Sequence, residues 1–274
     1  MQMSIIIATF AIHKQHGSRT LAATMVKMQI MKNIVIAAGY ATRLYPLTEN
    51  FPKPLLNIGG RSILERMLDD IDNIDDIDEH VIVTNHKFAA IFEEWKAKST
   101  YKKPIRIIDD GSTSNDTRLG AVKDLLLAIE ESAADDHIMV VAADNILDFS
   151  FQGFVDFFKE KQTSVIMCYH EPELKRLQRT GVIKVDDDML VLEMQEKPER
   201  PVSEWAVPPF YIYHRSDLPL IKDCMNHGCG FDTPGNLAHY LTTVTKIHAW
   251  QMPGHRYDIG SLDSYKEAQE RFHI

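Results

Sequence analysis

The sequence is short of the residues that would mark it as anything but an ordinary folded enzyme-sized domain. Cysteine occurs only three times in 274 residues, as Cys168, Cys224 and Cys229. Three thiols make no disulfide framework, and their odd number fits reduced side chains in a cytoplasm. Cys224, His227 and Cys229 are close in sequence, but no second Cys/His cluster completes a four-ligand metal set. Positive charge is also in deficit: 30 Lys and Arg face 39 Asp and Glu, a formal net charge of −9. That excludes broad attraction to nucleic acid, so any phosphate must be met by a local basic cluster. No apolar run approaches the roughly 20 residues of a membrane helix. The stretch 4–12 is apolar but short, and its basic residues Lys14 and Arg19 follow it, whereas a secretory signal places positive charge first. Two phosphate-loop signatures are missing as well: neither the Gly-Lys-Ser/Thr of a Walker loop nor the three-glycine Rossmann fingerprint occurs.

What is present is a chain of 45% hydrophobic and 25% charged residues, long enough to bury a sizeable core. Residues 1–31 are set aside as a leader or extension, since Met25, Met28 and Met31 each offer a later start. The domain is expected over 32–274. Apolar β-rich runs at 33–37, 80–84, 105–108, 138–143 and 164–169 alternate with helical spacing at 63–71, 88–97, 120–131 and 151–161. Ser62 and Glu65 form a capping-box pattern ahead of the first of these helices. The alternation predicts an α/β fold: a doubly wound, mostly parallel Rossmann-like sheet with helices on both faces. The second half predicts a mixed β/α insertion. It holds a hairpin about Asp186-Asp187-Asp188, a strand at 206–213, helices at 216–225 and 236–243, a strand at 247–250 and a last helix at 263–272.

Chemistry concentrates just after the first strand, in Ala37-Ala38-Gly39-Tyr40-Ala41-Thr42-Arg43-Leu44, then Tyr45-Pro46-Leu47-Thr48, then Phe51-Pro52-Lys53-Pro54-Leu55. Small residues let backbone N–H groups approach a phosphate and form an anion nest. Arg43 and Lys53 add two positive charges at the same mouth.

These three blocks in this order resemble the sugar nucleotidyltransferase family, the glucose-1-phosphate thymidylyl- and uridylyltransferases and related cytidylyltransferases. The family pattern reads small-Gly-Gly-x-Gly-Thr-Arg-Leu-x-Pro-Leu-Thr, then Pro-Lys-Pro-Leu. Here Ala38 and Ala41 stand at two of its glycines. The resemblance extends over nearly all of 32–272. Val140-Val141-Ala142-Ala143-Asp144-Asn145 is similar to its strand ending in Asp. Glu196-Lys197-Pro198 matches its Glu-Lys-Pro, and Tyr257-Asp258-Ile259-Gly260-Ser261 resembles its Trp-x-Asp-Ile-Gly-Thr.

The resemblance implies an NDP-sugar pyrophosphorylase type of reaction. A nucleoside monophosphate passes from a nucleoside triphosphate to a phosphorylated small molecule, here a sugar 1-phosphate, and pyrophosphate leaves. It implies that Ala37, Ala38 and Gly39 bind nucleotide, and that Arg43 and Lys53 act on the triphosphate. Glu196 and Lys197 would hold the acceptor, and Asp144 and Asp258 would share Mg²⁺. Two carboxylates plus substrate phosphates are a usual Mg²⁺ set. The family's nucleobase loop falls at Asp110-Gly111-Ser112-Thr113, without its usual Gln-Pro, so Gly111 and Thr113 become candidate base or ribose contacts. No nucleic-acid or membrane partner is expected. Two rivals stay open. One is a cytidylyltransferase for a non-sugar phosphate or phosphonate. The other is a silent nucleotide-sugar sensor, a class that tends to lose the Arg, Lys or metal Asp, all kept here. Pro208 and Pro209 stand where the family offers a Gly and a polar neighbour. Neither has an N–H to give, so glucose 1-phosphate is expected to be a poor acceptor.

Overall fold

A computed structural model describes residues 30–273. Of the leader set aside above, only Ile30 and Met31 fall among the described residues: Ile30 is exposed, and Met31 is already buried in the first strand. β1 (Met31–Ile36) is followed by a tiny hairpin, β2 (Asn57–Ile58) and β3 (Arg61–Ser62), and by α1 (Ile63–Ile71). The predicted capping box is formed: the Glu65 amide donates to Ser62 Oγ at 3.2 Å and the Ser62 amide to Glu65 Oε2 at 2.8 Å. Then come β4 (Ile77–Thr84), α2 (His86–Lys98), β5 (Ile105–Asp109), α3 (Ala121–Glu131), β6 (His137–Ala142), the short β7 (Asn145–Leu147) and α4 (Gln152–Lys161).

The second half holds β8 (Ser164–His170), the four-residue α5 (Leu174–Leu177), β9 (Gly181–Val185) and β10 (Val191–Glu196). β9 and β10 are the expected antiparallel hairpin. Asp186 Oδ1 accepts from the amides of Asp188 and Leu190 and fixes its turn. The single strand expected at 206–213 is two strands, β11 (Trp205–Val207) and β12 (Phe210–Tyr213). The break falls at Pro208-Pro209, which have no N–H for a ladder. The end of the chain adds α6 (Leu218–Asp223), α7 (Pro234–Val244), β13 (Ile247–Gln251), β14 (Arg256–Asp258) and α8 (Leu262–Arg271). Ser261 caps α8, two residues ahead of the expected start, accepting from the Ser264 amide.

The main sheet runs β10-β9-β11-β8-β12-β6-β1-β4-β5, with β13 also on β8. β5, β4, β1 and β6 are parallel. β12 runs antiparallel between β6 and β8, and β13 joins β8 in parallel. The expected mostly parallel sheet is therefore present in strand direction: seven strands run one way, and β12, β11 and β10 run the other. Alternate residues of the buried strands serve opposite faces. Ile34, Val83 and Val140 meet α3, α6 and α7, whereas Val35, Ile82 and Val141 meet α1, α2 and α4. The sheet is doubly wound, and the carboxyl ends of β1, β4, β5 and β6 open together on one edge, where such sheets bind ligands.

A smaller cluster brings the end of the chain back to that edge. Leu56, Ile58 and Ile63 pack with Ile146, Ile259 and Ala268 of α8. Gly59 has φ +57, and a side chain there would meet the Phe272 carbonyl at 1.8 Å, so only glycine lets the hairpin lie this close to α8. The packing seats β14 on β7, with Asp258 paired to Asn145.

Candidate active site

The phosphate-loop candidate leaves the carboxyl end of β1. Ala37 N–H donates to Val83 O at 2.9 Å, the last ladder bond. Asn85 Nδ2 then holds the Ala38 carbonyl at 3.0 Å, and Thr48 Oγ1 holds the Ala41 carbonyl at 2.8 Å. Ala41 sits in the left-handed region at φ 47, where a Cβ costs about 1 kcal/mol that glycine would not. The amides of residues 38–43 have no acceptor among the described residues. A Cβ built on Gly39 meets nothing within 4 Å. Successive N–H groups without an acceptor, beside open space at Gly39, suit an anion.

Arg43 is exposed and has no ion pair or hydrogen bond among the described residues. Lys53 is anchored by the 3-10 turn Lys53–Leu55, and its side chain is 10% exposed. Its Nζ reaches Asp144 Oδ2 at 3.1 Å. Asp144 follows β6, and its Oδ1 also accepts from Asn145 Nδ2. Asp258 ends β14 opposite Asn145, and the Ile259 amide donates to the Asp144 carbonyl at 3.0 Å. Burial and then the charge of Asp144 push the Asp258 carboxyl above the usual range, while Arg256, Lys53 and Arg43 oppose the rise. The charge of Asp144 raises the proton affinity of Asp258, 114 positions away in sequence, and a carboxylate pair placed so could hold a hard cation. Lys53, Asp144 and Asp258 thus come together, with Arg43 near enough to act on Asp258.

Beside this group opens a cleft of about 1480 Å³. Tyr169, Thr180, Pro208, Pro209, Arg256 and Tyr257 line it, together with residues of α8. Glu196 and Lys197 do not line it; they lie behind Thr180 and touch neither Asp144 nor Asp258. The Lys197 amide donates to Thr180 O at 3.1 Å, and its Nζ lies 3.7 Å from Glu196 Oε1. Glu196 accepts from Thr233 Oγ1 at 3.2 Å at the start of α7, and burial raises its pKa.

Gly111 and Thr113 are exposed on the loop after β5. Gly111 has φ +75 and donates to Asp109 Oδ1 at 2.8 Å. The Ser112 carbonyl accepts from Tyr40 OH at 2.9 Å and from the His86 amide at 2.9 Å, which ties this loop to the phosphate loop. Cys224, His227 and Cys229 form no three-ligand group with other Cys, His, Asp or Glu among the described residues. His227 instead stacks on Tyr240 at 5.8 Å.

Sequence reasoning passed over Arg256, Tyr169 and Asp124. Arg256 had a signal: it occupies the Trp place of Trp-x-Asp. No helix among the described residues is long and apolar enough to cross a membrane.

Comparison with known proteins gives a consistent picture. The sequence model of the family described as nucleotidyl transferase matches residues 32–273. The bifunctional protein GlmU of Methanocaldococcus jannaschii is 26% identical over 84% of this chain, which spans 51% of that relative. The UTP–glucose-1-phosphate uridylyltransferase AglF of Haloferax volcanii is 26% identical over 88% of this chain and 96% of its own length. Among solved structures, a UDP-glucose pyrophosphorylase complexed with UDP-glucose superposes with TM-score 0.75 at 20% identity, covering 89% of this chain and 98% of that one. A putative glucose-1-phosphate thymidylyltransferase from Bacillus anthracis gives 0.72 at 22% identity, covering 88% and 95%. At these identities the structures speak for the fold.

Proposed function

The chain belongs to the nucleotidyl transferase family, and from that premise we propose that it transfers a nucleoside monophosphate from a nucleoside triphosphate to a sugar 1-phosphate. The observation that carries the reading is the loop of free amides at the end of β1, set against Lys53, Asp144 and Asp258. Relatives whose names specify glucose 1-phosphate support a sugar phosphate over a non-sugar acceptor. Retention of Arg43, Lys53 and both carboxylates supports an enzyme over a silent sensor.

An oxygen of the acceptor phosphate attacks the α-phosphorus. The new P–O bond forms as the bond to the bridging oxygen breaks, and pyrophosphate carries that electron pair away. The attacking oxygen is already ionised at neutral pH, so no general base is needed. Catalysis then rests on placement and on fixed charge. The amides of residues 38–43 cradle the triphosphate, Arg43 faces the departing pyrophosphate, and Lys53 braces the α-phosphate beside Asp144. Glu196 and Lys197 orient the acceptor. Asp144 and Asp258 would hold Mg²⁺, which would supply positive charge against the negative charge of the phosphates.

Within the sugar phosphates, the Pro208–Pro209 wall offers no N–H to a hydroxyl. A buried hydroxyl without a partner costs about 1–3 kcal/mol, so a deoxygenated sugar 1-phosphate should outcompete glucose 1-phosphate. Each nucleoside triphosphate can be tested against a panel of sugar 1-phosphates for pyrophosphate release. Turnover with at least one pair, lost in Asp144→Asn, is the expected result. No release from any pair would overturn the proposal, and glucose 1-phosphate winning every competition would overturn the preference.

A further inference from the structure

Two sides of the carboxylate pair carry different cations. Lys53 reaches Asp144 from the phosphate-loop side. On the side of the cleft, the nearest cation is Arg256. It alternates with Asp258 along β14, so the two side chains share a face, and its Nη1 lies 4.0 Å from Asp258 Oδ2. The side chain is 17% exposed and lines the cleft.

The partners of Arg256 are unusual for a buried guanidinium. Nη1 donates to Asn145 Oδ1 at 2.5 Å, Nη2 donates to Tyr169 OH at 3.4 Å, and the group lies 5.5 Å over the Tyr169 ring. Both acceptors are neutral, and the one nearby carboxylate makes no hydrogen bond to it. Nε–H and one N–H on each terminal nitrogen have no acceptor among the described residues. A half-buried arginine of this kind is fixed in place and keeps its charge and part of its donor fork free, the arrangement that suits a phosphate. Other arginines of the cleft differ in pairing or in exposure. Arg176 is spent on Glu173 at 2.9 Å and Glu171 at 3.5 Å, Arg179 is exposed and contacts neither carboxylate, and Arg271, which donates to Tyr257 OH at 3.3 Å, is exposed rather than held inside the cleft. The family pattern that this stretch resembles has Trp at this place.

We propose that Arg256, held by Asn145 and Tyr169, binds the phosphate of the acceptor and presents its oxygen to the carboxylate pair. This rests on the transfer reaction proposed above. Lys197, engaged with Glu196 behind Thr180, then acts with Arg256 rather than alone. The Asn145 amide group bridges the two centres, since it donates to Asp144 and accepts from Arg256.

Steady-state kinetics of the full chain, varying each substrate in turn, test the assignment. Arg256→Gln should raise the acceptor KM about 10- to 100-fold, the effect of losing a charge-assisted pair, and leave the triphosphate KM within about twofold. Arg256→Lys keeps the charge without the fork and should fall between. Tyr169→Phe should give a smaller rise. An equal rise for both substrates, or no change for the acceptor, overturns the proposal. If Arg256→Gln does not fold, the same criteria apply to Arg256→Lys. If the wild type turns over no pair, the transfer reading itself has failed. Calorimetric titration with glucose 1-phosphate and inorganic phosphate then decides the site separately. Weaker binding by Arg256→Lys than by wild type supports it, and equal binding, or none by wild type, overturns it.

Discussion

Asp124 stands in the first turn of α3 with its carboxyl against that of Asp110, and both are buried. Burial first, then the charge of Asp110, pushes the Asp124 pKa up to about 7, and burial raises Asp110 as well. Asp110 Oδ2 and Asp124 Oδ1 have no other partner among the described residues, so one proton shared between them satisfies both. The unfolded chain releases that proton near pH 4, and the folded chain keeps it to about 7. Between those values the folded state binds more protons, so this pair's contribution to stability falls as pH rises and levels off above 7. Asp124→Asn supplies the hydrogen permanently. Its stability relative to wild type should therefore grow from pH 5 to pH 8 by roughly 1–3 kcal/mol. Denaturant titrations of both proteins at the two pH values measure this, and a constant difference would refute the shared proton. At the reacting centre the comparable single change is Asp144→Asn or Asp258→Asn. Each keeps the shape of the carboxylate and removes its charge, and each should lower turnover by roughly two to three orders of magnitude.

Elements of different length left different traces in the sequence. α1 was readable because Ile63, Leu64, Met67, Leu68 and Ile71 repeat at helical spacing behind a capping box, and all are buried. β1 and β6 were readable as apolar runs for the same reason: both faces are covered. The ladder of β7 and β14 was not readable. Each strand has three residues, too few for a period, and they meet from more than 100 positions apart. The closeness of Asp144 to Asp258 was therefore implied only by the family motif, and nothing in so short a strand singled out Arg256. α7 shows how an element can constrain the site. It begins Thr233-Pro234-Gly235, and a side chain at Gly235 would stand 1.9 Å from Glu196 Oε2. The Glu196 carboxylate thus occupies a helix start, where negative charge is favoured. Gly235→Ala should displace it, costing about 1–3 kcal/mol of stability by overpacking and raising the acceptor KM with little change for the triphosphate. An unchanged acceptor KM would show that Glu196 serves only the helix.

In the proposed reaction the two substrates fall to two parts of the chain. The first half supplies the free amides, Arg43, Lys53 and the loop of Gly111 and Thr113. The second supplies the Pro208–Pro209 wall, Glu196 and Lys197, and β14 with Arg256. Asp144 and Asp258, one from each, join them, with Asn145 hydrogen-bonded to both Asp144 and Arg256. Buried β1 begins at Met31, so a chain starting there should keep its Tm and turnover. A substantial loss of either in thermal melts and assays would make the preceding segment part of the fold. The division also predicts how two lysines separate. Lys53 lies against Asp144 with its side chain 10% exposed, whereas Lys197 is 49% exposed beyond Thr180. A point charge acts most on the phosphate nearest it, and more strongly where water is excluded. Lys53→Ala should raise the triphosphate KM by about tenfold or more and lower kcat, because it also removes the partner of Asp144. Lys197→Ala should raise the acceptor KM by a smaller factor and leave the triphosphate KM unchanged, since Arg256 still holds the acceptor phosphate. Combining Lys197→Ala with Arg256→Gln should then cost more than the product of the single losses, because each cation covers for the other. Independent multiplication of the two effects would place the lysine and the arginine on different parts of the acceptor.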